Sequence, residues 1–170
     1  MVCQQKMRFY LLLPFLFIVS GCEQLELENP TTDSIRTARG FLNSSETKDR
    51  AELKQFLGVD PVRYEWCAAF VNSVLEVNNI PGSESVSEHP LMARSFLRWG
   101  EKVSEPKRGD IIVFPRGNSD WQGHVGFYIS TYSVTGIEYY VILGGNQDDK
   151  VSYELYPSAR ALSIRRPLAQ

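Results

Sequence analysis

The sequence predicts an α+β fold in which helices come first along the chain and pack on one antiparallel β-sheet. Two observations support this fold class. Over residues 47–99 the apolar side chains recur at intervals of three and four, which is typical of amphipathic helices. After Pro106 the pattern changes to short β-branched or aromatic runs that are separated by Gly, Asn, Asp, Ser or Pro. Because helices and strands are segregated along the chain, we expect a few helices on one sheet rather than alternating βα units.

Three helices are predicted in a domain that covers residues 47–170. The preceding residues, 22–46, are polar with few apolar side chains, and we interpret them as a polar tether. The first helix begins at the start of the domain and ends at Gly58. The second helix begins at Cys67, after a break at an Asp-Pro pair. A third helix is expected over residues 91–99.

About five strands are predicted after the helices. Each run is short and is bounded by turn-forming residues, so an antiparallel meander is the simplest arrangement. The strands are expected over residues 110–114, 125–132, 138–143, 151–155 and 162–166.

The first 21 residues have the features of an export signal. Lys6 and Arg8 precede an apolar run over residues 9–19, which is too short to cross a bilayer as a helix. The run ends in Val-Ser-Gly-Cys at residues 19–22, which resembles the bacterial lipobox. This resemblance implies cleavage before Cys22 and acylation of Cys22, so that the protein is a lipoprotein of the bacterial envelope. An ordinary cleaved secretory signal and a tail-in anchor are the alternatives.

The predicted mature chain is small and acidic. Removal of residues 1–21 leaves 149 residues with 16 basic and 20 acidic side chains, a net charge of −4. This length suits one domain, which we expect to be a monomer, and the charge gives no support for binding nucleic acid. Glu23 does not resemble the inner-membrane retention signal of Gram-negative lipoproteins. If the cell is Gram-negative, we therefore expect the protein at the outer membrane, facing the periplasm.

Only one of the three cysteines is predicted to carry a free thiol. Cys3 leaves with the signal and Cys22 is the predicted acyl acceptor, so Cys67 has no intrachain partner. A disulfide framework is therefore excluded. Because an exported protein meets oxidising conditions, an unpaired thiol requires a reason, and catalysis is the one that we favour.

Three residues can form a nucleophile, a base and an orienting group. Cys67 is predicted at a helix N-terminus, which favours the thiolate. Of the two histidines, His89 falls in a polar loop, whereas His124 falls at the start of a strand between glycines and is the better base. Asn146 falls at the end of the next strand, where its amide oxygen is expected to accept the distal N–H of His124.

These motifs, in this order, resemble the CHAP and NlpC-type branch of the papain-like cysteine hydrolases. The shared features are a cysteine at a helix N-terminus, Gly-His-Val-Gly at residues 123–126, an Asn on the next strand and Pro-x-x-Gly-Asp at residues 106–110. The resemblance covers about residues 47–167. It implies a papain-like α+β fold, hydrolysis of peptide or amide bonds in peptidoglycan, and no cofactor. One position departs from the pattern, because many CHAP proteins have Glu two residues before the Asn and this chain has Gly144.

Three aromatic residues are candidates for substrate binding. Trp66 and Trp121 lie close in sequence to the proposed catalytic residues and are expected to line a groove for a glycan or peptide stem. Tyr64 is expected to help form an oxyanion hole beside the backbone N–H of Cys67. One free cysteine and two histidines without ligand-type spacing do not predict a metal site.

Three functions remain open on the sequence alone. A cysteine-dependent peptidoglycan hydrolase is the interpretation that we favour. The second is a catalytically inactive envelope module that binds wall peptides or a partner protein, and it is supported by the missing Glu at position 144 and by the acidic charge. The third is a cysteine acyltransferase on the same scaffold.

Overall fold

The computed structural model describes residues 31–168 and shows an α+β fold with a six-stranded sheet. Three α-helices precede the sheet, which confirms the predicted fold class, with six strands where about five were expected. The helices are α1 (Thr32–Gly40), α2 (Arg50–Leu57) and α3 (Cys67–Val77), and short 3-10 helices cover Ser83–Ser85, Ala93–Arg98 and Ser158–Arg160. The strands are β1 (Glu101–Val103), β2 (Ile111–Pro115), β3 (Gly123–Val134), β4 (Ile137–Gln147), β5 (Lys150–Pro157) and β6 (Ser163–Arg166).

All strand pairs are antiparallel, and the strand order is β1-β6-β2-β3-β4-β5. Strands β3 and β4 form a long hairpin that pairs from Val134 and Ile137 at its turn to Phe127 and Leu143 near the helices. The start of β3 and the end of β4 therefore lie at the same end of the sheet. Strand β1 was not predicted because it has only three residues, and its two charged side chains are exposed.

Helix α3 is the central helix of the molecule. Eight of its eleven residues are buried, and it contacts α1, α2, β3 and β4. Its apolar side chains join those of the other helices and of one sheet face in the main core, whereas the opposite sheet face has a smaller apolar cluster. Within residues 31–168, no helix is long and apolar enough to cross a bilayer.

The third predicted helix is a 3-10 helix rather than an α-helix. In the segment Ala93–Arg98, the backbone N–H of Ser95 donates to the carbonyl of Met92. The Ser95 hydroxyl donates to the same carbonyl at 2.7 Å. A serine side chain that bonds the nearby backbone competes with regular helix hydrogen bonding, which explains the tighter, shorter element.

The tether that we predicted over residues 22–46 is wrong for the part that the structure describes. Residues from Thr31 onward are folded: α1 buries Ile35 and Ala38 in the main core, and the Thr31 hydroxyl donates to the carbonyl of Gly109. Two apolar residues three positions apart are enough to give a short helix one buried face. Residues 22–30, together with the predicted signal and Cys22, lie outside the described residues.

Asp110 fixes the start of β2. Its carboxylate is fully buried and accepts two hydrogen bonds from the Arg166 guanidinium, at 2.9 and 2.7 Å, and one from the backbone N–H of Lys107 at 2.7 Å. A two-point ion pair of this kind is both strong and geometrically specific. Asp110 therefore ties β2 to β6 and has a structural role.

Candidate active site

Cys67 is the first residue of α3, as predicted, and its thiol is nearly inaccessible to solvent. The residue is 3% exposed, and within the described residues it is the free cysteine. Burial raises the pKa of the Cys67 thiol, while hydrogen bonds from the backbone N–H groups of Val125 and Ala68 and the positive charge of Arg116 act in the opposite direction. The bond from Val125 also brings the sulfur next to the backbone that carries the neighbouring His124.

His124 is the histidine that lies beside Cys67, at the second position of β3. Its imidazole is 3% exposed and stacks on the ring of Tyr156, with ring centroids 5.2 Å apart and planes 14° from parallel. Burial lowers the pKa of His124 to about 4, against 6.5 for an ordinary histidine. His89, in contrast, is exposed in a loop.

Gln147 is the residue that orients the imidazole. Its Oε1 lies 3.0 Å from Nε2 of His124, and its own amide nitrogen donates to the Ser152 carbonyl at 2.7 Å. The bond to Ser152 fixes which end of the amide faces His124, so that Nε2 must carry the proton that Oε1 accepts. The proton is then absent from Nδ1 of His124, which is buried and has no hydrogen-bond partner among the described residues. Nδ1 is therefore the unprotonated ring nitrogen, and no hydrogen bond joins it to the Cys67 thiol in this structure.

The expectation that the Asn146 amide accepts from His124 is wrong in this structure. Asn146 instead donates from its amide nitrogen to the Glu65 carboxylate at 2.8 Å. Asn146 has a φ of +58°, and the β4–β5 register shifts between Gly144 and Gln147. This left-handed residue breaks the alternation of side chains along β4, so that the residue after Asn146 reaches the imidazole.

Two glycines before Asn146 make room for this arrangement. A Cβ atom on Gly144 would lie 3.3 Å from Nε2 of His124 and 3.2 Å from Oε1 of Gln147. The Gln147 side chain therefore occupies the space next to the imidazole into which a side chain at position 144 would project. A Cβ atom on Gly145 would lie 2.5 Å from the Trp66 ring, so the end of β4 packs directly on the start of α3.

An ion pair lies at the mouth of the site. Arg116, which follows β2, donates to the carboxylate of Glu65 and, at 3.4 Å, to the backbone carbonyl of Asn146. The side chains of Arg116 and Glu65 are 43% and 74% exposed. These two charges, which the sequence analysis did not single out, connect the segment before α3 to the ends of β2 and β4.

The three predicted substrate-binding residues have different environments. Trp66 is fully buried, and its Nε1–H donates to the carboxylate of Glu46 at 3.0 Å. The prediction that Trp66 lines a substrate groove is therefore wrong. It is a core residue because it packs between Phe70 and the end of β4. Trp121 and Tyr64 are 63% and 56% exposed and are accessible to a ligand.

The assembled groups suit acyl transfer. A thiol, an imidazole with an unprotonated Nδ1 and an amide that holds the imidazole are the kinds of group that acyl transfer uses as nucleophile, base and orienting group. Among the described residues, no group of three His, Cys, Asp or Glu side chains is placed to hold a metal ion.

Comparison with known proteins identifies the family. The family model described as CHAP domain matches residues 59–146, which is more than half of the chain and includes both Cys67 and His124. No curated protein matches the chain. CHAP domains are generally cysteine- and histidine-dependent amidases or peptidases of the peptidoglycan-hydrolase type. Because this match covers more than half of the chain and the structure has the α+β fold of that family, the chain belongs to the CHAP domain family.

Proposed function

We propose that this protein is a cysteine-dependent peptidoglycan hydrolase that cleaves a peptide or amide bond through an acyl-enzyme. The observation that carries the proposal is that the backbone N–H of Val125 donates to the Cys67 thiol, while Gln147 sets the tautomer of the adjacent His124 imidazole. The family match supports the same class of activity.

The reaction begins from neutral groups. Because burial raises the pKa of Cys67 and lowers that of His124, the thiol keeps its proton in the resting site and the imidazole has none at neutral pH. The thiol proton moves to Nδ1 of His124 as Sγ attacks the substrate carbonyl carbon. His124 is thus a general base during attack and not the cationic half of a preformed ion pair.

Two half-reactions complete the cycle. The tetrahedral intermediate collapses when His124 gives its proton to the leaving amine, which breaks the C–N bond and leaves a thioester on Cys67. Water then attacks the thioester carbon while His124 takes one of the water protons. Collapse of the second intermediate breaks the C–S bond, returns the proton to Sγ and releases the new carboxyl group.

We also propose that the protein acts at the bacterial envelope, held there by lipid on Cys22. The charged and apolar pattern of residues 1–21 and the lipobox-like end support this placement, with the outer membrane facing the periplasm as the site in a Gram-negative cell. Replacing Cys22 with Ala should abolish incorporation of labelled fatty acid and leave unprocessed precursor. Equal labelling of the two proteins would contradict lipidation at Cys22.

A non-catalytic wall-binding module is the second candidate. Two observations favour it: the thiol and imidazole are nearly inaccessible, and position 144 carries Gly instead of the Glu that many relatives have. A module of this kind would bind wall peptides at the exposed Trp121 without releasing product.

The deciding experiment is mass spectrometry of purified peptidoglycan after incubation with the protein. Removing a nucleophile or its base lowers turnover by about 10⁴- to 10⁶-fold in comparable sites. We therefore expect product from the wild type, and almost none from Cys67→Ala or His124→Ala. His89→Ala is the matched control, because His89 is exposed and away from the site, and it should retain full activity.

Each outcome separates the candidates. If Cys67→Ala keeps more than about a tenth of the wild-type rate, the barrier has risen by less than about 1.4 kcal/mol and Cys67 is not the nucleophile. If the wild type binds peptidoglycan and releases no new amine or carboxyl group, the non-catalytic module is the better assignment. Products joined to a new amine, in place of free carboxyl groups, would identify an acyltransferase.

A further inference from the structure

An exposed apolar surface lies on the β3–β4 hairpin and on the neighbouring strand β5. We call it the hairpin patch and define it by five side chains, of which between 38% and 53% of the surface is exposed. Its members are Tyr132, Val134, Ile137, Tyr153 and Leu155.

The hairpin patch continues the sheet face that the helices cover. Residues that pair across neighbouring strands have their side chains on the same sheet face. Tyr153 pairs with Leu143, which belongs to the main core, and Val134 pairs with Ile137. Close to the site, α1 and α3 cover this face, whereas towards the hairpin turn no described element does. None of the five patch residues is charged, so the patch is an apolar surface with two tyrosine hydroxyls.

The chain enters the domain at the base of this patch. The Thr31 hydroxyl donates to the Gly109 carbonyl, and the backbone N–H of Gly109 donates to the carbonyl of Tyr128 at 2.9 Å. Tyr128 is on β3, just before the strand extends beyond β2. Cys22 precedes Thr31 by nine residues, which span at most about 30 Å when fully extended. A lipid on Cys22 would therefore keep a bilayer within reach of the patch.

A basic cleft lies beside the same point of entry. Arg36 and Arg39 on α1 and Arg108 next to Gly109 line a cleft of about 460 Å³, and Arg36 also forms an ion pair with Asp33 at 2.9 Å. Helix α1 lies on the sheet face that the patch continues, so this cleft and the patch are on the same side of the molecule. Guanidinium groups suit the phosphate of a lipid headgroup, and tyrosine suits the boundary between headgroups and acyl chains.

We propose that the hairpin patch and the arginine cleft rest on the surface of the bilayer that holds the lipid anchor. This inference rests on the proposed lipidation of Cys22. His124 and Val134 are ten residues apart on β3, which corresponds to about 34 Å along the strand. Contact at the hairpin turn would thus lie at the end of β3 opposite His124.

To test the proposal, a tryptophan is introduced on the hairpin patch of the full, lipidated chain, and quenching of its fluorescence by lipid is measured. Ile137→Trp protein is reconstituted in vesicles of phosphatidylethanolamine and phosphatidylglycerol whose acyl chains carry bromine, a contact quencher of tryptophan. Val62→Trp is the matched control, because Val62 is also half exposed but lies before α3 at the site end. Leu155→Trp is a second patch variant that keeps the test valid if Ile137→Trp fails to fold.

We expect the added fluorescence of Ile137→Trp and of Leu155→Trp to fall by at least half relative to vesicles without bromine, while that of Val62→Trp is unchanged. Adding Arg39→Glu to Ile137→Trp should weaken this quenching at least twofold. Equal quenching at positions 137 and 62, or none at either patch position, overturns the proposal. Protection of the patch by a second copy of the chain would also overturn it, and would appear as a dimer in sedimentation with no quenching by bromine.

Mass spectrometry of the intact protein shows whether Cys22 carries lipid, so it tests the anchoring proposal independently of the membrane contact. If Cys22 carries no lipid, the anchoring proposal fails by that measurement alone. The patch is then judged by adding the same Ile137→Trp protein to the brominated vesicles, where lack of quenching contradicts membrane contact. Neither the mass measurement nor the quenching measurement depends on hydrolysis of peptidoglycan.

Discussion

At the scale of single residues, burial determines how the site can work. The Cys67 thiol and the His124 imidazole are both 3% exposed, and burial moves both pKa values towards the neutral forms. Hydrogen bonds from Val125 and Ala68 partly offset this effect at the thiol. In the proposed mechanism, catalysis at neutral pH therefore depends on the tautomer of His124, because a neutral base must present the correct nitrogen to the thiol.

Gln147 should accordingly contribute more to catalysis than Asn146. We expect Gln147→Ala to lower kcat on wall fragments at least about tenfold, since the imidazole loses the group that holds its tautomer, and Asn146→Ala to have a smaller effect. Gln147→Glu should restore part of the activity. A carboxylate would also raise the pKa of His124, so the acid limb of the kcat/KM profile should move to higher pH.

The pH profiles of the three variants show whether Gln147 orients the His124 imidazole or only stabilises the fold. A merely structural Gln147 would lower activity in Ala and Glu variants alike without moving the acid limb. A larger loss in Asn146→Ala than in Gln147→Ala would restore the assignment that the sequence suggested. The melting temperature of each variant is measured alongside as a control for folding.

The buried imidazole also predicts acid sensitivity of the fold. The pKa of His124 is about 4 in the folded chain and 6.5 when unperturbed, so between these values the unfolded chain binds a proton that the folded chain does not. Stability from this group is present above pH 6.5 and is lost as the pH falls towards 4, by up to about 3 kcal/mol. Urea unfolding of the wild type at pH 7, 5.5 and 4.5 measures the loss. In His124→Gln the loss should be smaller over the same range, and an unchanged pH dependence would mean that other groups cause it.

At the scale of elements, the sequence predicted those whose ends carry strong signals. Gly58 adopts the left-handed conformation expected after α2, and α3 begins at Cys67. The placement of His124 at the start of a strand followed from its flanking glycines. Asn146 was assigned to the wrong role because the prediction assumed a regular strand, in which side chains alternate between the two faces. The left-handed conformation of Asn146 and the register shift at the end of β4 break this alternation and were not predicted from the sequence.

Helix α1 was missed for a different reason, and its role in stability can be measured. Its sequence is mostly polar, so the contribution of Ile35 depends on a core built from distant residues. Ile35→Ala should lower the free energy of unfolding by about 2 to 4 kcal/mol, as for other buried Ile side chains. Arg36→Ala is the matched control on the same helix, because the Arg36 side chain is 83% exposed, and it should change stability by less than about 0.5 kcal/mol.

Urea unfolding followed by far-UV circular dichroism provides both values. If Ile35→Ala and Arg36→Ala unfold at the same urea concentration as the wild type, residues 31–46 are a tether after all. A loss confined to Ile35→Ala shows that the folded domain begins before residue 47.

At the scale of the whole molecule, the long hairpin separates two proposed functions. One end holds His124 and Gln147 against the start of α3, and the other end carries the exposed hairpin patch. Because the same two strands connect both ends, the sheet sets the distance between the proposed membrane contact and the proposed catalytic site. For the proposed lipid-anchored hydrolase this distance matters, because its proposed substrate is the wall and not a membrane component.

Net charge gives a last prediction at this scale. The chain is acidic, with a net charge of −2 that becomes −4 without residues 1–21, and the Arg116 charge at the mouth of the site is balanced by Glu65. Peptidoglycan stems carry carboxylates, so approach to an intact wall is opposed by like charges. Salt screens this repulsion, because the Debye length falls from about 30 Å at 0.01 M to about 8 Å at 0.15 M. We expect kcat/KM on intact walls at pH 7 to rise about two- to fivefold over this range, while the rate on a small uncharged amide substrate stays constant. A rate on walls that falls with salt would show that attraction at the site, through Arg116 freed from Glu65, outweighs the repulsion between the two net charges.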